Sequence, residues 1–208
     1  MSSRPIVVTG TDTDVGKTVF CAALAQALDA YYWKPVQAGT EGGGDKERVA
    51  MLTGLPEERM LPEAYRLETP CSPHRAAELA GIVIDPSRLL PPAARPLVIE
   101  GAGGALVPLA PRLLLADQIA SWAFPAVIVA RTSLGTINHS LLTIEALRAR
   151  NIELLGIAFV GDSNTDSEQT IARIGQVRRL GRLPWLDAVD PETLRRAFKV
   201  SFRLEDFR

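Results

Sequence analysis

Short apolar runs rich in valine and isoleucine alternate along the chain with longer, helix-like segments in which apolar and polar residues are mixed. The short runs predict β-strands at residues 5–9, 31–36, 96–99, 126–130 and 156–160. The longer segments predict α-helices at residues 17–28, 45–53, 114–122, 140–150 and 166–180. Runs such as Leu97-Val98-Ile99 are apolar at every position, which is typical of strands buried on both faces. The pattern predicts an α/β fold, a three-layer sandwich with a mainly parallel central sheet flanked by helices.

The chain shows no internal boundary. No shift in composition, repeat or low-complexity tract divides it, so residues 1–208 are expected to form a single domain. The tail at residues 198–204 alternates apolar and polar positions, which would place Phe198, Val200, Phe202 and Leu204 on one side of a strand. A loosely packed end is the alternative, and the sequence does not choose between the two.

The composition narrows the functional classes. Hydrophobic residues make up 47% of the 208 residues and charged residues 23%, as in globular domains. The formal net charge of -1 provides no basic surplus for sequence-independent binding to nucleic acid. The apolar stretches are well short of the ~20 residues of a membrane helix, and the N-terminal one does not make a signal peptide. The two cysteines, Cys21 and Cys71, form no CxxC pair, so a cytoplasmic protein with reduced thiols is expected.

A glycine-rich loop follows the first predicted strand. Its sequence is GTDTDVGKT at residues 10–18, and a predicted helix begins where it ends. Backbone N–H groups of such a loop and the positive end of the helix attract phosphate oxygens. In the usual motif, GxxxxGK[ST], the lysine contacts the β- and γ-phosphates and the hydroxyl coordinates Mg²⁺, roles that fall here to Lys17 and Thr18. Five residues separate Gly10 from Gly16, so the loop is a variant, and it indicates a fold like that of the P-loop NTPases.

Three charged residues are candidates for the same site. Glu100 follows the buried run at residues 97–99, and the carboxyl ends of parallel strands face the ligand crevice. Lys34 precedes a proline that holds it in an extended conformation at the end of the second predicted strand. Asp45 follows three glycines and opens a predicted helix. Each has an ordinary alternative: a strand-terminal carboxylate, a lysine extending to water, or an N-cap.

Five blocks, in this order, resemble the dethiobiotin synthetase family. They are residues 9–18 (TGTDTDVGKT), 34–40 (KPVQAGT), 72–74 (SPH), 100–104 (EGAGG) and 134–139 (LGTINH). The resemblance implies an ATP- and Mg²⁺-dependent ligase of biotin synthesis that joins 7,8-diaminopelargonate and CO₂ to give dethiobiotin, ADP and phosphate. The intermediates would be a carbamate and a carbamic-phosphoric anhydride, and the enzyme would need no nucleophilic side chain, because the substrate supplies both amines.

The resemblance also implies roles for individual residues. The catalytic residues would be Lys34, Lys17 and Thr13. The ATP-binding residues would be Asp14, Val15, Gly16, Lys17, Thr18, Val19, Glu100, Gly101, Ala102, Gly103, Val160, Gly161, Pro184, Trp185 and Leu186. The diamine would contact Thr40, Ser72, Gly135 and Asn138, and Mg²⁺ would be held by Thr18, Asp45 and Glu100.

The resemblance further implies a homodimer in which residues 135–138 of the second subunit close the substrate site. Asn138 is also a plausible N-cap for the helix that follows, and His139 is expected to be packed rather than catalytic. The family commonly carries an asparagine after its fifth main strand that reads the adenine amine, whereas this chain has Gly161-Asp162 there and Asn164 further on. Base recognition would then depend on backbone groups, on Asp162 or on the loop at residues 183–186.

Two other functions fit a phosphate loop. A nucleotide-dependent switch should carry either the guanine motif NKxD or a second lysine early in the phosphate loop, and this chain has neither. A small-molecule kinase would not need the block at Lys34 or the glycine run after Glu100. Nucleotide turnover measured with and without diamine and bicarbonate distinguishes these functions from a ligase.

Overall fold

The computed structural model describes residues 4–40 and 42–207. Its strands are β1 (Ile6–Gly10), β2 (Tyr31–Trp33), β3 (Val36–Ala38), β4 (Tyr65–Leu67), β5 (Leu97–Gly104), β6 (Pro108–Ala110), β7 (Leu113–Leu114), β8 (Ala126–Arg131), β9 (Leu154–Val160) and β10 (Arg179–Leu183). Its α-helices are α1 (Lys17–Leu28), α2 (Asp45–Thr53), α3 (Pro73–Leu79), α4 (Leu115–Trp122), α5 (Thr136–Arg148), α6 (Thr165–Ile174) and α7 (Pro191–Ser201). Short 3₁₀ helices lie at Glu57–Arg59, Pro86–Arg88 and Leu204–Phe207.

The main sheet has six strands in the order β10-β9-β8-β1-β5-β2, and all of its pairings are parallel. Alternate residues of β1 enter two different apolar cores, with Val7 on one face of the sheet and Val8 on the other. Helices α4, α5 and α6 contribute to the core that contains Val7, whereas α1, α2 and α7 contribute to the core that contains Val8. The expected three-layer α/β sandwich with a parallel sheet is confirmed.

Two predicted elements have different bounds in the structure. The strand expected at 31–36 is interrupted at Lys34-Pro35, because proline cannot donate a ladder hydrogen bond, and its second half pairs with β4 in a separate small sheet. The helix expected at 166–180 ends at Ile174, and Arg179–Leu183 is the edge strand β10. Gly175 ends that helix close against α5, since a Cβ there would lie 2.7 Å from Ile144 Cδ1.

The tail forms neither the strand nor the loose end that the sequence left open. Asp190 caps α7 by accepting hydrogen bonds from the backbone N–H groups of Glu192 and Thr193, both at 2.9 Å. Phe198 of α7 and Phe202, the residue that ends the helix, stack with their ring centroids 5.0 Å apart, while Val200 faces solvent. The tail therefore continues a helix rather than a strand, and its phenylalanines up to Phe207 are packed into the core.

The edge of the sheet where the parallel strands end carries the phosphate loop and its neighbours. Trp33 pairs with Ile99 and Val8 pairs with Glu100, so the sheet register brings the residue after β2 beside Glu100 and next to β1. Glu100 lies within β5 rather than at its end, because the strand continues through the following glycines to Gly104. In the described part of the chain, no helix combines the length and the hydropathy that crossing a membrane requires.

Candidate nucleotide and substrate site

The phosphate loop turns between β1 and α1 with two residues in the left-handed region, Asp14 at φ 56° and Gly16 at φ 91°. A Cβ on Gly16 would lie 2.7 Å from Val160 Cγ1, so only glycine fits there. Lys17 bends back over the loop, and its ammonium donates a 2.8 Å hydrogen bond to the carbonyl oxygen of Asp12. The geometry leaves a concave backbone surface at the N-terminus of a helix, which is an arrangement that binds anions.

Lys34 is the centre of a buried charge cluster beside this loop. Its ammonium donates to Asp45 Oδ2 and, at 3.3 Å, to Glu100 Oε1. The Thr18 hydroxyl donates to the same Glu100 oxygen at 2.8 Å. Lys34 and Glu100 are both buried, so these contacts are made away from bulk water, where charge interactions are stronger. The alternatives that placed Lys34 in water and Glu100 at an ordinary strand end are wrong.

The pKa values of the two lysines move in opposite directions. Burial by itself would lower the pKa of Lys34, but the carboxylates of Glu100 and Asp45 outweigh it and leave the pKa raised. Burial lowers the pKa of Lys17 below its ordinary value, and the charge of Lys34 adds to that effect against the attraction of Glu100. Lys34 therefore has its counter-ions within the protein, whereas Lys17 lacks comparable compensation and is suited to an anionic ligand.

Asp45 is held by its backbone as well as by Lys34. It is the first residue of α2, and Gly44 takes the N-cap position, so the N-cap alternative for Asp45 is wrong. The Asp45 N–H donates to Gln37 Oε1 at 3.1 Å, and Gln37 Nε2 donates to the Gly39 carbonyl at 2.8 Å. Gln37 thus links β3 to the start of α2 and fixes the carboxylate that meets Lys34.

Tyr32 was not found from the sequence. Its hydroxyl is fully buried and donates a 2.8 Å hydrogen bond to Glu100 Oε2, the oxygen that Thr18 and Lys34 leave free. Burial, together with the charge of Glu100, raises the pKa of Tyr32 well above its usual value, so the hydroxyl remains a donor. A tyrosine on a strand buried on both faces needs a partner for its hydroxyl, and that requirement was the available signal.

Two cavities lie along this edge. The larger has a volume of about 840 Å³, and the lysine and acid cluster lies in its wall. The site residues predicted from the sequence that line this cavity are Thr13, Asp14, Gly16, Lys17, Thr18, Val19, Lys34, Asp45, Ser72, Glu100, Ala102, Gly103 and Trp185. The smaller, of about 200 Å³, is lined by Arg131, Thr132, Ser133, Val160, Asp162, Ser163, Asn164 and Trp185. Because Trp185 borders both cavities, they form adjoining parts of one groove.

The remaining predicted residues do not line these two cavities. They are Val15, Thr40, Gly101, Gly135, Asn138, Gly161, Pro184 and Leu186. Several are neighbours in sequence of residues that do, and their backbone belongs to the same loops. The amide of Asn164, the asparagine that follows further along the chain, is engaged: Nδ2 donates to the Thr132 carbonyl at 3.0 Å and Oδ1 accepts from the Ser167 N–H at 3.2 Å.

The start of α5 differs from the expectation. Gly135, at φ 92°, is its N-cap, so Asn138 lies within the first turn and is not the cap. His139 is not packed in the core: its side chain is 41% exposed, and Nδ1 lies 3.9 Å from Asp12 Oδ2 of the phosphate loop. The side chain of Leu134, just before this helix, is almost completely exposed.

The oxygen atoms near Lys34 suit magnesium in combination with a nucleotide. Thr18, Asp45 and Glu100 provide one hydroxyl and two carboxylates around a single ammonium. No group of three or more His, Cys, Asp and Glu side chains capable of holding a metal occurs within residues 4–40 and 42–207. Mg²⁺ commonly needs only one or two carboxylates, because water and substrate phosphates supply its other ligands. The residues present therefore fit the metal.

Solved structures of other proteins share this fold at low sequence identity. The cell division ATPase MinD of Pyrococcus furiosus superposes with a TM-score of 0.54 and 13% identity, covering 88% of this chain and 83% of that one. A plasmid partition protein from Borrelia burgdorferi superposes with a TM-score of 0.57 and 10% identity, covering 96% and 98% of the two chains. These similarities establish the fold alone.

Sequence comparison is more specific. A family model described as an AAA domain matches residues 4–193. The ATP-dependent dethiobiotin synthetase BioD of Rhizorhabdus wittichii is 66% identical over 206 residues, covering 99% of both chains. The protein of the same name from Rhodopseudomonas palustris strain BisA53 is 62% identical over 208 residues, covering 100% of this chain and 97% of that one. The chain belongs to the family of ATP-dependent dethiobiotin synthetases.

Proposed function

We propose that this chain converts 7,8-diaminopelargonate, CO₂ and ATP to dethiobiotin, ADP and phosphate, as a step of biotin biosynthesis. The observation that carries the proposal is the Lys34 ammonium, buried between Asp45 and Glu100 in the cavity that also contains Lys17 of the phosphate loop. The names of the full-length relatives support the same reaction. The single domain of residues 1–208 would carry all of its steps.

The proposed chemistry proceeds in three steps. One amine of the substrate adds to CO₂ and loses a proton, which gives a carbamate. A carbamate oxygen attacks the γ-phosphorus of ATP, ADP leaves, and a carbamic-phosphoric anhydride forms. The second amine then attacks the anhydride carbonyl, the C–O bond to phosphate breaks, and the cyclic urea and inorganic phosphate result. No side chain forms a covalent bond, so positioning and electrostatic stabilisation must supply the rate.

The lysines are suited to that task. Negative charge accumulates where the carbamate meets the γ-phosphate, and fixed cations there stabilise the transition state more than the separated reactants. Lys17 follows the phosphate loop and would neutralise the phosphate oxygens, with Thr13 of the same loop beside the carbamate. Lys34 is held by two carboxylates, which fix the position of its charge beside the phosphate loop.

Thr18, Asp45 and Glu100 would hold Mg²⁺ together with the nucleotide. The ion would supply positive charge at the phosphate oxygens. Because the Lys34 ammonium contacts both carboxylates, metal loading would require it to give up part of those contacts. The hydrogen bond from Tyr32 keeps the second oxygen of Glu100 occupied and directs the first one towards Thr18 and Lys34.

The adjoining small cavity would receive the base of the nucleotide. Its position next to the phosphate loop, across Trp185, supports this assignment. Trp185 would provide an aromatic surface for the base, and Asp162 an acceptor for an exocyclic amine. Since the amide of Asn164 is engaged with Thr132 and Ser167, backbone groups and Asp162 are the better candidates for reading the base.

The substrate site would be completed across a homodimer. Ser72 lies in the wall of the large cavity, whereas Gly135 and Asn138 lie outside it at the start of α5. The nearly complete exposure of Leu134 beside them supports contact with a second copy. In that arrangement the backbone N–H groups at the α5 N-terminus would face the substrate carboxylate of the partner subunit. The enzyme is expected to work in the cytoplasm.

The proposal is tested by nucleotide turnover and product formation. ADP and dethiobiotin should form in equal amounts, and only when diamine, bicarbonate and Mg²⁺ are all present. Hydrolysis of ATP that ignores the diamine would instead favour a nucleotide switch, and phosphate retained on the diamine would favour a kinase.

Lys34→Ala examines the proposed catalytic cation. We expect nucleotide binding to persist while product formation falls by about 100-fold or more, the usual effect of losing one transition-state charge contact. Lys46→Ala removes the same charge from a lysine on α2 that pairs with Glu63 at 3.4 Å, and it should behave like the wild type. Near-normal turnover per bound ATP in Lys34→Ala, or equal losses in both variants, would contradict the assigned role.

A further inference from the structure

A buried carboxylate outside the reaction site lies behind the small cavity. Glu168 is on α6, and its side chain is only 2% exposed. Its Oε2 accepts from Arg179 of β10, at 2.7 Å from Nε and 2.6 Å from Nη2. Its Oε1 lies 3.6 Å from Arg182 Nε and accepts weakly from the Asn164 N–H at 3.3 Å. The carboxylate therefore joins the edge strand to the loop that precedes α6.

This cluster holds the backbone of the cavity wall at several points. Arg182 Nη1 donates to the Gly161 carbonyl at 2.8 Å, and the Gly161 N–H donates to the Leu183 carbonyl at 3.0 Å. Asn164, whose N–H contacts Glu168, in turn binds the Thr132 carbonyl. The same cluster thus connects the loop after β8, the loop after β9 and the strand that leads to Trp185. The two loops and Trp185, which follows that strand, line the small cavity.

The tight packing of this wall explains why its position matters. A Cβ on Gly161 would lie 2.6 Å from Thr132 Oγ1, so the loop after β9 packs against the loop after β8 too closely for a side chain at that position. The Asn164 amide is held in place by its hydrogen bonds to Thr132 and Ser167. The base would then be held by backbone groups, Asp162 and Trp185, and these contacts depend on where the loops lie. A shift of well under 1 Å weakens hydrogen bonds whose useful range is only about half an ångström.

An ion pair between a buried carboxylate such as Glu168 and solvent-accessible arginines is a weak source of stability, because desolvation of the carboxylate offsets most of the attraction between the charges. Its usual advantage over apolar packing is a defined geometry. We propose that Glu168, through Arg179 and Arg182, is a positioning residue that sets the base-binding loops of the nucleotide site. This inference rests on the assignment of the small cavity to the base. It concerns nucleotide affinity and not the transfer of phosphate.

The test compares ATP with ribose 5-triphosphate, which carries a sugar and a triphosphate but no base. Binding and steady-state kinetics are measured for Glu168→Gln and Arg182→Met with ATP and with ribose 5-triphosphate. We expect the Kd and KM for ATP to rise by about tenfold, the loss expected when a few hydrogen bonds are misplaced. The kcat, the KM for diamine and the Kd for ribose 5-triphosphate should remain as in the wild type.

A matched control is available on the neighbouring residue. Arg178 pairs with the buried carboxylate of Asp206 at 2.5 Å, next to the same strand but outside the cavity walls. Asp206→Asn should lower thermal stability without changing affinity for ATP. Equal weakening of ATP and ribose 5-triphosphate, unchanged affinity for both, or the same ATP defect in Asp206→Asn would overturn the inference. Should Glu168→Gln fail to fold, Arg182→Met, whose side chain is partly exposed, decides the question alone.

The result is separable from the proposed ligase activity. The affinities are measured by calorimetry with Mg²⁺ and a non-hydrolysable ATP analogue, so they do not require product formation. If dethiobiotin is not formed by the wild type, the proposed function fails while the base-dependent loss of affinity can still be observed. If dethiobiotin is formed but the loss of affinity is independent of the base, only the positioning role fails.

Discussion

Replacing Tyr32 with phenylalanine removes one oxygen atom and leaves the packing of the ring in place. The lost hydroxyl donates to Glu100 Oε2 at 2.8 Å, and neither residue is accessible to solvent that could replace it. A hydrogen bond to a charged group contributes about 1.5–3 kcal/mol to stability, and the cost of leaving a buried carboxylate without its donor is in the same range. In a chain of this length, about 2–4 °C of melting temperature corresponds to each kcal/mol, so we expect a decrease of about 3–12 °C.

Thermal unfolding followed by circular dichroism measures this effect in the absence of nucleotide. Tyr31→Phe is the control, because the Tyr31 ring contacts the Arg59 guanidinium and lies outside the Glu100 cluster. It should change the melting temperature by about 1 °C or less. The coupling is isolated by combining Tyr32→Phe with Glu100→Gln, since the two losses should not add if the residues interact. Equal small shifts for both tyrosine variants, or additive losses in the double variant, would refute the role given to Tyr32.

Three further changes examine other parts of the site. Lys17→Ala should weaken nucleotide binding by about 100-fold, because a charge-assisted phosphate contact is lost. Calorimetry measures the affinity, and an unchanged affinity would contradict the phosphate-binding role of Lys17. Gly16→Ala should abolish nucleotide binding, since its φ of 91° and the 2.7 Å approach to Val160 distort the loop; normal binding by a folded variant contradicts this geometry. Leu134→Glu should convert the expected dimer to a monomer and reduce turnover, which light scattering and kinetics can follow; an unchanged oligomeric state excludes that surface as the interface.

Much of the fold could be predicted because its signals are local. The continuous apolar runs identified the central strands, and the glycine loop between a strand and a helix identified the phosphate site. The parallel sheet then implied that Lys34 and Glu100 end up at one edge, and the register of β2 with β5 brings them into contact. The pairing itself could not be derived, since register is a property of two strands together.

The missed features depend on contacts distant in sequence. The strand β10 was taken for the end of a helix, because the short apolar run around Leu180 and Leu183 carries no periodicity that separates the two. The C-terminal helix was missed although Asp190-Pro191 is a helix-start signal, because the alternation of apolar and polar residues at 198–204 resembled a strand. Tyr32 and Glu168 take their importance from partners distant in sequence that only the folded chain brings near.

The proposed reaction is tested most directly by following the oxygen atoms of CO₂. With ¹⁸O-labelled bicarbonate, in reactions too short for the label to exchange with water, attack by a carbamate oxygen on the γ-phosphorus places one labelled oxygen in each phosphate released. The other labelled oxygen stays in the urea carbonyl of dethiobiotin. Mass spectrometry of phosphate formed in the presence of diamine should show this label. Phosphate that takes its new oxygen from water alone would contradict the carbamate route and the role given to the Lys17 and Lys34 cluster.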